Sequence, residues 1–150
     1  MIATSVAYDL VFLVHVVAAL ATVTVLVVMR TSALVIVRGD DSAVQWARFP
    51  ERRNWAARVV HVLPVTGLIM SLSGTSAVSL AQPWIGVGLL CYLAAAGHLE
   101  ARTLPLERVI SEVIHKDGAA SPERGRKLTR SIDVLLGLIG VALIAMLVQF

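Results

Sequence analysis

Long uncharged stretches alternate with charged ones along this chain, and the alternation predicts its helices. Residues 10–29 carry no formal charge and extend about 30 Å as an α-helix, which matches the hydrocarbon thickness of a bilayer. Residues 59–99 are also uncharged, and they are long enough for two spans joined by a turn of small residues at 71–76. We therefore predict four membrane spans, at about residues 10–29, 59–77, 83–99 and 131–150.

The segments between the spans carry helix signals of their own. Apolar residues recur at helical spacing within residues 105–116, which predicts an amphipathic helix after the third span. Its apolar face consists of Leu106, Val109, Ile110, Val113 and Ile114. Gly118 is expected to end this helix, and Ser121 followed by Pro122 to begin the last one. A further short helix is predicted at residues 43–48.

Composition and charge indicate a membrane protein and predict its orientation. The chain is 57% hydrophobic and 15% charged, which leaves too little polar surface to cover a soluble globule. All thirteen Lys and Arg residues fall within residues 30–58 and 102–130, the loops that follow spans one and three. By the positive-inside rule both loops are cytoplasmic and both chain ends lie outside, in the plasma (inner) membrane. This segregation reflects topology, so we expect no nucleic-acid partner.

The predicted fold class is therefore all-α, a four-transmembrane-helix bundle with a cytoplasmic amphipathic helix. Residues 1–150 are expected to form a single integral membrane domain, because the four spans and two loops use the whole length. The single cysteine, Cys91, lies in an apolar stretch, so no disulfide framework is expected. No phosphate loop, dinucleotide fingerprint, nucleophile elbow or HExxH pattern occurs, and none of the enzyme classes with those motifs is indicated.

Three histidines within the spans are the candidate cofactor-binding residues: His15, His61 and His98. His61 begins span two and His98 ends span three, so both lie near the cytoplasmic face, where they could ligate one haem b or metal ion. The alternative is that each is hydrogen-bonded at the membrane interface. The residues do not indicate a particular metal.

His15 is the ionisable residue embedded deepest in a predicted span, which makes it the first functional candidate. It is expected to face the bundle interior, either as a haem or metal ligand or as a neutral imidazole bonded to a neighbouring helix. Asp9 is expected to complement the positive end of the first helix. Asp133 is expected to pair with Arg130, three residues away on the same helix.

Three stretches carry a resemblance to a known group of proteins: 12–19 (FLVHVVAA), 63–68 (LPVTGL) and 126–128 (RKL), the last before the final apolar span. With these, the chain resembles an uncharacterised four-span bacterial family of integral membrane proteins, distantly similar to the CopD copper-resistance and HemJ-type porphyrinogen oxidase membrane proteins. In the HemJ-like relatives a first-span histidine is implicated in haem binding, and His15 is the matching position. The resemblance thus implies haem b as the candidate cofactor.

Two functions are compatible with the sequence. The first is a non-catalytic integral membrane subunit that packs against or stabilises a larger membrane complex, with the lipid bilayer and other membrane subunits as its partners. The second is a haem b- or metal-binding membrane protein with a redox or handling role, built on His15 or on His61 with His98. The sequence favours the first, because no catalytic constellation is recognisable in it.

Overall fold

The computed structural model describes residues 2–39, 54–73 and 81–149, and side-chain environments from residue 6 onward. All regular structure in these ranges is helical. The elements are α1 (Ile2–Arg38), a 3₁₀ turn (Ala56–His61), α2 (Val62–Ser73), α3 (Pro83–His98), a π turn (Leu99–Thr103), α4 (Leu104–Asp117) and α5 (Pro122–Val148).

Four helical stretches of the described chain are long and apolar enough to cross a membrane. They are Val6–Arg38, Ala56–Ser73, Pro83–Asp117 and Pro122–Val148. This confirms the predicted all-α class with four spans. The four stretches contain the predicted spans, except for residues 74–77 and 150, which lie outside the described ranges, and Gln149, which follows the end of the last helix. The short helix predicted at 43–48 also lies outside them.

The helices alternate in direction, so the start of α1 and the end of α5 lie at one end of the bundle. Tyr8, Ser71, Trp84 and Gln149 line one cavity there, and we call this the terminal end. The opposite end, from which the two basic loops depart, is the loop end. The loop end carries ion pairs, whereas the terminal end carries a largely apolar cavity.

Helix α5 forms the centre of the bundle and packs against α1 and α3. Its inward face is apolar at helical spacing and almost completely buried, as expected for a helix enclosed by two neighbours. These residues are Leu128, Ile132, Leu135, Ile139 and Ala142. At the loop end, Gly125 lets α5 approach α1 closely, because a Cβ there would lie 3.0 Å from the carbonyl oxygen of Ala33.

Helices α3 and α4 form one continuous rod through the π turn. Its 35 residues correspond to about 52 Å, so it extends well beyond a hydrocarbon layer of about 30 Å. The π turn ends two residues before Pro105, whose missing N–H interrupts the regular hydrogen-bond ladder. Gly118 ends α4 in the left-handed conformation with φ of +77°, and Ser121 and Pro122 begin α5, as predicted.

The buried face of α4 differs from the predicted apolar face. Glu107, Ile110 and Ser111 are buried, whereas Val109 is 45% exposed. Of the predicted face, Ile110 is fully buried and Leu106, Val113 and Ile114 are partly buried. The interior stripe is therefore rotated towards Glu107, since apolar spacing defines a face of the helix but not the direction in which that face points.

Candidate functional site

His15 lies on the single interior stripe of the first half of α1. It is 7% exposed, and Ala18 and Thr22 follow it on the same buried face. The side chains on either side of it, Val14 and Val16, are exposed, as expected for lipid-facing positions of a spanning helix. The prediction that His15 faces the bundle interior is thus confirmed.

A short hydrogen bond joins His15 to the neighbouring helix. Its Nδ1 lies 2.7 Å from Oγ1 of Thr66 on α2. The Thr66 hydroxyl donates its own hydrogen to the carbonyl oxygen of Val62, at 2.7 Å, one turn earlier in the same helix. Since a hydroxyl has one hydrogen, Thr66 accepts from His15, and the hydrogen-bond network assigns the imidazole proton to Nδ1.

This assignment leaves the other ring nitrogen, Nε2, with a free lone pair. Nε2 has no hydrogen-bond partner among the residues that the structure describes, although His15 is almost completely buried. Metal-binding and catalytic histidines are commonly oriented in this way, with one nitrogen fixed by a protein acceptor and the other presented to a ligand.

Gly67 and Tyr92 lie on two sides of this imidazole. Gly67, next to Thr66, has no side chain to fill the region, and a Cβ at that position would lie 3.6 Å from Cε1 of His15. On the other side, the ring of Tyr92 from α3 meets the imidazole edge to face, with ring centroids 6.1 Å apart. The Tyr92 hydroxyl donates to Sδ of Met146 on α5, at 3.7 Å.

His15 lines a cavity at the terminal end of the bundle, between α1, α2, α3 and α5. Its volume is about 210 Å³. The walls are largely aromatic, aliphatic and thioether side chains, and polar groups are few. The lining includes Tyr8, Phe12, Leu63, Met70, Trp84, Leu89, Tyr92 and Met146. Ser71 and Gln149 also line it, but the Ser71 hydroxyl donates to the carbonyl oxygen of Gly67 at 2.8 Å.

The structure gives His61 and His98 separate partners at the loop end. Nε2 of His61 lies 3.2 Å from Glu100, while Nε2 of His98 lies 3.0 Å from Oγ of Ser131 on α5. Ser131 also bonds Thr103 of the π turn, at 2.8 Å. Each contact favours the interface role over a shared ligand, although joint ligation by these two histidines stays a prediction.

Other loop-end polar residues are linked across helices, and sequence spacing did not indicate these pairs. Arg58 holds Glu100 through two nitrogens, at 2.7 and 2.9 Å. Glu107 is 4% exposed, and both of its carboxyl oxygens accept from Nδ2 of Asn54, whose Oδ1 in turn accepts from Ala57 N–H of the 3₁₀ turn. The signal that could have found Glu107 is its position four residues before Ser111 on one helical face.

The expected pair of Asp133 with Arg130 was wrong. Asp133 accepts instead from Nε of Arg30 on α1, at 2.6 Å. An interhelical partner is available because α1 and α5 lie side by side at this level, which spacing within one helix does not reveal. Asp9 is exposed at the terminal end, and Nδ1 of His115 lies 2.7 Å from the carbonyl oxygen of Ser111.

The donor set around the cavity fits an enclosed haem poorly. It supplies one imidazole nitrogen, and about 210 Å³ lies below the roughly 300 Å³ at which sites for drug-sized ligands begin. Within the described ranges, no group of three or more His, Cys, Asp or Glu side chains is placed to hold a metal ion. The thioethers of Met70 and Met146 line the same cavity and are soft ligands, but no geometry joins them to His15.

Comparison of this chain with protein-family models, with curated proteins and with solved structures gives no match. The resemblance to the four-span bacterial family stays a prediction.

Proposed function

We propose that this protein is a non-catalytic multi-pass membrane protein that binds a small, largely apolar molecule in the terminal-end cavity, with His15 as its polar contact. The observation that carries the proposal is the free Nε2 of a buried imidazole whose other nitrogen is fixed by Thr66. His15 lines the cavity, so an occupant that donates to this nitrogen gains a hydrogen bond with a net worth of about 0.5–1.5 kcal/mol.

The cavity offers a direct test through Trp84, which lines it. In a variant with Trp46→Phe and Trp55→Phe, Trp84 is the only indole left. Bromobenzene, a heavy-atom quencher, should then quench its fluorescence in a saturable manner above the linear background from quencher dissolved in detergent.

Two glycine substitutions provide a matched pair for this test. Gly67→Phe places a ring in the cavity, because Gly67 lines it. Gly140→Phe adds the same ring at a position on α5 where a Cβ meets nothing within 4 Å. Saturable quenching should be lost in the first variant and kept in the second. Equal quenching in both variants would contradict the proposal.

For orientation, we propose that the terminal end faces outside and that the loop end is cytoplasmic in the plasma membrane. The support is that all thirteen Lys and Arg residues fall within residues 30–58 and 102–130, the segments that connect the first span to the second and the third to the fourth. In a Cys91→Ala background, single cysteines at Ser42 and Ala120 should react only with reagents on the cytoplasmic side. Labelling of either position from outside alone would reverse the orientation.

A second candidate is the accessory subunit favoured by the sequence, with the bilayer and other membrane proteins as partners. The long α3 to α4 rod favours it, because α4 projects beyond the hydrocarbon layer and exposes Val109. Replacing Val109 by Asp should release a partner or loosen membrane attachment, whereas Glu112→Gln on the same exposed surface should not. If mild detergent extracts both variants and the wild type as the same isolated chain, this candidate is rejected.

The haem alternative is tested by the absorption spectrum of protein purified with haem supplied during expression. A Soret band lost in both His15→Gln and His15→Leu would establish haem ligation by His15. With the cavity as small as it is, we expect no such band.

A further inference from the structure

The shape and chemistry of the terminal-end cavity define the class of molecule that fits it. A cavity of about 150 Å³ lined by apolar side chains is known to accept benzene. The present cavity, at about 210 Å³, thus has room for one six-membered ring with a small substituent. A porphyrin or a sterol ring system exceeds this space.

The walls suit a flat ring. Phe12 on α1 and Trp84 and Tyr92 on α3 provide aromatic surfaces. Met70 and Met146 provide flexible thioethers that adapt to the edge of a ring. The side chains of Phe12 and Leu68 are also 51% and 40% exposed on the outer surface of the bundle. A ligand dissolved in the membrane therefore meets this part of the lining directly.

His15 presents a hydrogen-bond acceptor to the cavity. Nε2 of His15 can only accept, because its ring proton is on Nδ1. The nearby hydroxyls of Thr66 and Ser71 already donate to backbone carbonyl oxygens, and the Tyr92 hydroxyl donates to Met146. None of these three hydroxyls donates to Nε2 of His15, and a ligand hydroxyl can supply that hydrogen bond.

We propose that the occupant is a lipid-soluble, single-ring phenol, including the ring of a hydroquinone-type lipid, whose hydroxyl donates to Nε2 of His15. This inference rests on the proposed function, since it names the ligand of that same cavity. No covalent or redox step is part of it. The ring contacts the aromatic walls, and an alkyl substituent extends towards the lipid beside Phe12 and Leu68.

The test compares two probes that differ only in the hydrogen-bond donor, 4-bromophenol and its methyl ether 4-bromoanisole, by quenching of Trp84 in the Trp46→Phe, Trp55→Phe background. The phenol should bind about three- to tenfold more tightly than the ether, as expected for one hydrogen bond. In His15→Leu this preference should disappear. In Thr66→Val, where the acceptor that holds the proton on Nδ1 is missing, the preference should be reduced.

The outcomes separate this inference from the proposed function. Equal, saturable binding of the phenol and the ether by the parent protein would overturn the phenol assignment and leave a cavity that binds apolar rings. Absence of saturable quenching by either probe and by bromobenzene would overturn both. A phenol preference that persists in both His15→Leu and Thr66→Val would also overturn the assignment, because the donor would then be recognised elsewhere.

Discussion

The two ends of this bundle treat their polar side chains differently. At the loop end, polar groups on different helices pair with one another, as in Arg30 with Asp133 and Arg58 with Glu100. At the terminal end, His15 bonds Thr66 and Tyr92 bonds Met146 across helices, and an apolar cavity lies beside them. Pairing at the loop end holds helices together, whereas the unpaired nitrogen at the terminal end is available to a ligand.

The loop end is not free of unpaired atoms, but their setting is different. Nη1 of Arg58 and Nδ1 of His61 have no hydrogen-bond partner among the described residues. Their side chains are 23% and 42% exposed, and Trp55 covers the guanidinium of Arg58, with its ring centroid 5.1 Å away. Those two atoms are themselves buried, and neither residue lines the terminal-end cavity, whereas His15 does. His15 is therefore the residue that we expect to bind a ligand.

The largest effect on stability is expected from a substitution at the contact between α1 and α5 at the loop end. Gly125→Ala places a Cβ 3.0 Å from both the Ala33 carbonyl oxygen and Val37 Cγ2, so the backbone of α1 has to yield by a few tenths of an ångström. We expect a loss of about 1–3 kcal/mol in the free energy of unfolding. The measurement is denaturation of the protein in detergent followed by circular dichroism.

Gly137→Ala on the same helix is the control, because a Cβ there meets nothing within 4 Å. Its stability should match or slightly exceed that of the wild type, since alanine favours helix more than glycine does. Equal effects of the two substitutions would mean that α1 and α5 do not approach closely at Gly125.

The buried carboxyl at the loop end should show the next largest effect. Glu107→Ala leaves Asn54 without the acceptor for its amide and opens space in the interior, so unfolding should become easier by about 1–3 kcal/mol. Glu112→Ala removes an exposed residue that pairs with Arg108 on the same helix, and should change stability by at most about 0.5 kcal/mol. If Glu107→Ala were as mild as Glu112→Ala, the carboxyl would not be buried.

At the terminal end, the loss of one hydrogen bond within the membrane should be smaller. His15→Leu should destabilise the fold by about 0.6–1 kcal/mol, and His15→Gln by less, because its amide can still donate to Thr66. The same denaturation assay measures both. A much larger loss in both variants would assign His15 a structural role that outweighs ligand binding.

The smallest effect is expected for the most exposed of the interhelical ion pairs. Arg30 and Asp133 are 39% and 46% exposed, so Asp133→Asn should change the free energy of unfolding by at most about 1 kcal/mol. Added salt should diminish the difference further by screening the pair. A difference that is unaffected by salt would place the pair away from water.

The positions and ends of the helices could be predicted from the sequence. The uncharged runs located the four spanning helices, and Gly118 and Pro122 marked helix ends, because bilayer thickness and backbone conformation act locally. The interior position of His15 also followed, since an imidazole facing acyl chains has no hydrogen-bond partner.

The pairs of polar side chains between helices could not be predicted from the sequence. Asp133 found Arg30 in place of Arg130, and Glu107 occupied the interior of α4 although Val109 is apolar. Both depend on how neighbouring helices are rotated about their axes, and the π turn before α4 alters that rotation by adding a residue to the turn. The cavity was not predicted either, because it arises from side chains of four separate helices.

The most direct test of this account is the location of the proton on the His15 imidazole. Nitrogen NMR of histidine-labelled protein, with the His15 signals assigned by their loss in His15→Gln, distinguishes a protonated from an unprotonated ring nitrogen. We predict a neutral ring with the proton on Nδ1, and an Nε2 signal that shifts when 4-bromophenol is added but not when 4-bromoanisole is added. A proton on Nε2, or an Nε2 signal that responds to neither probe, would contradict the account.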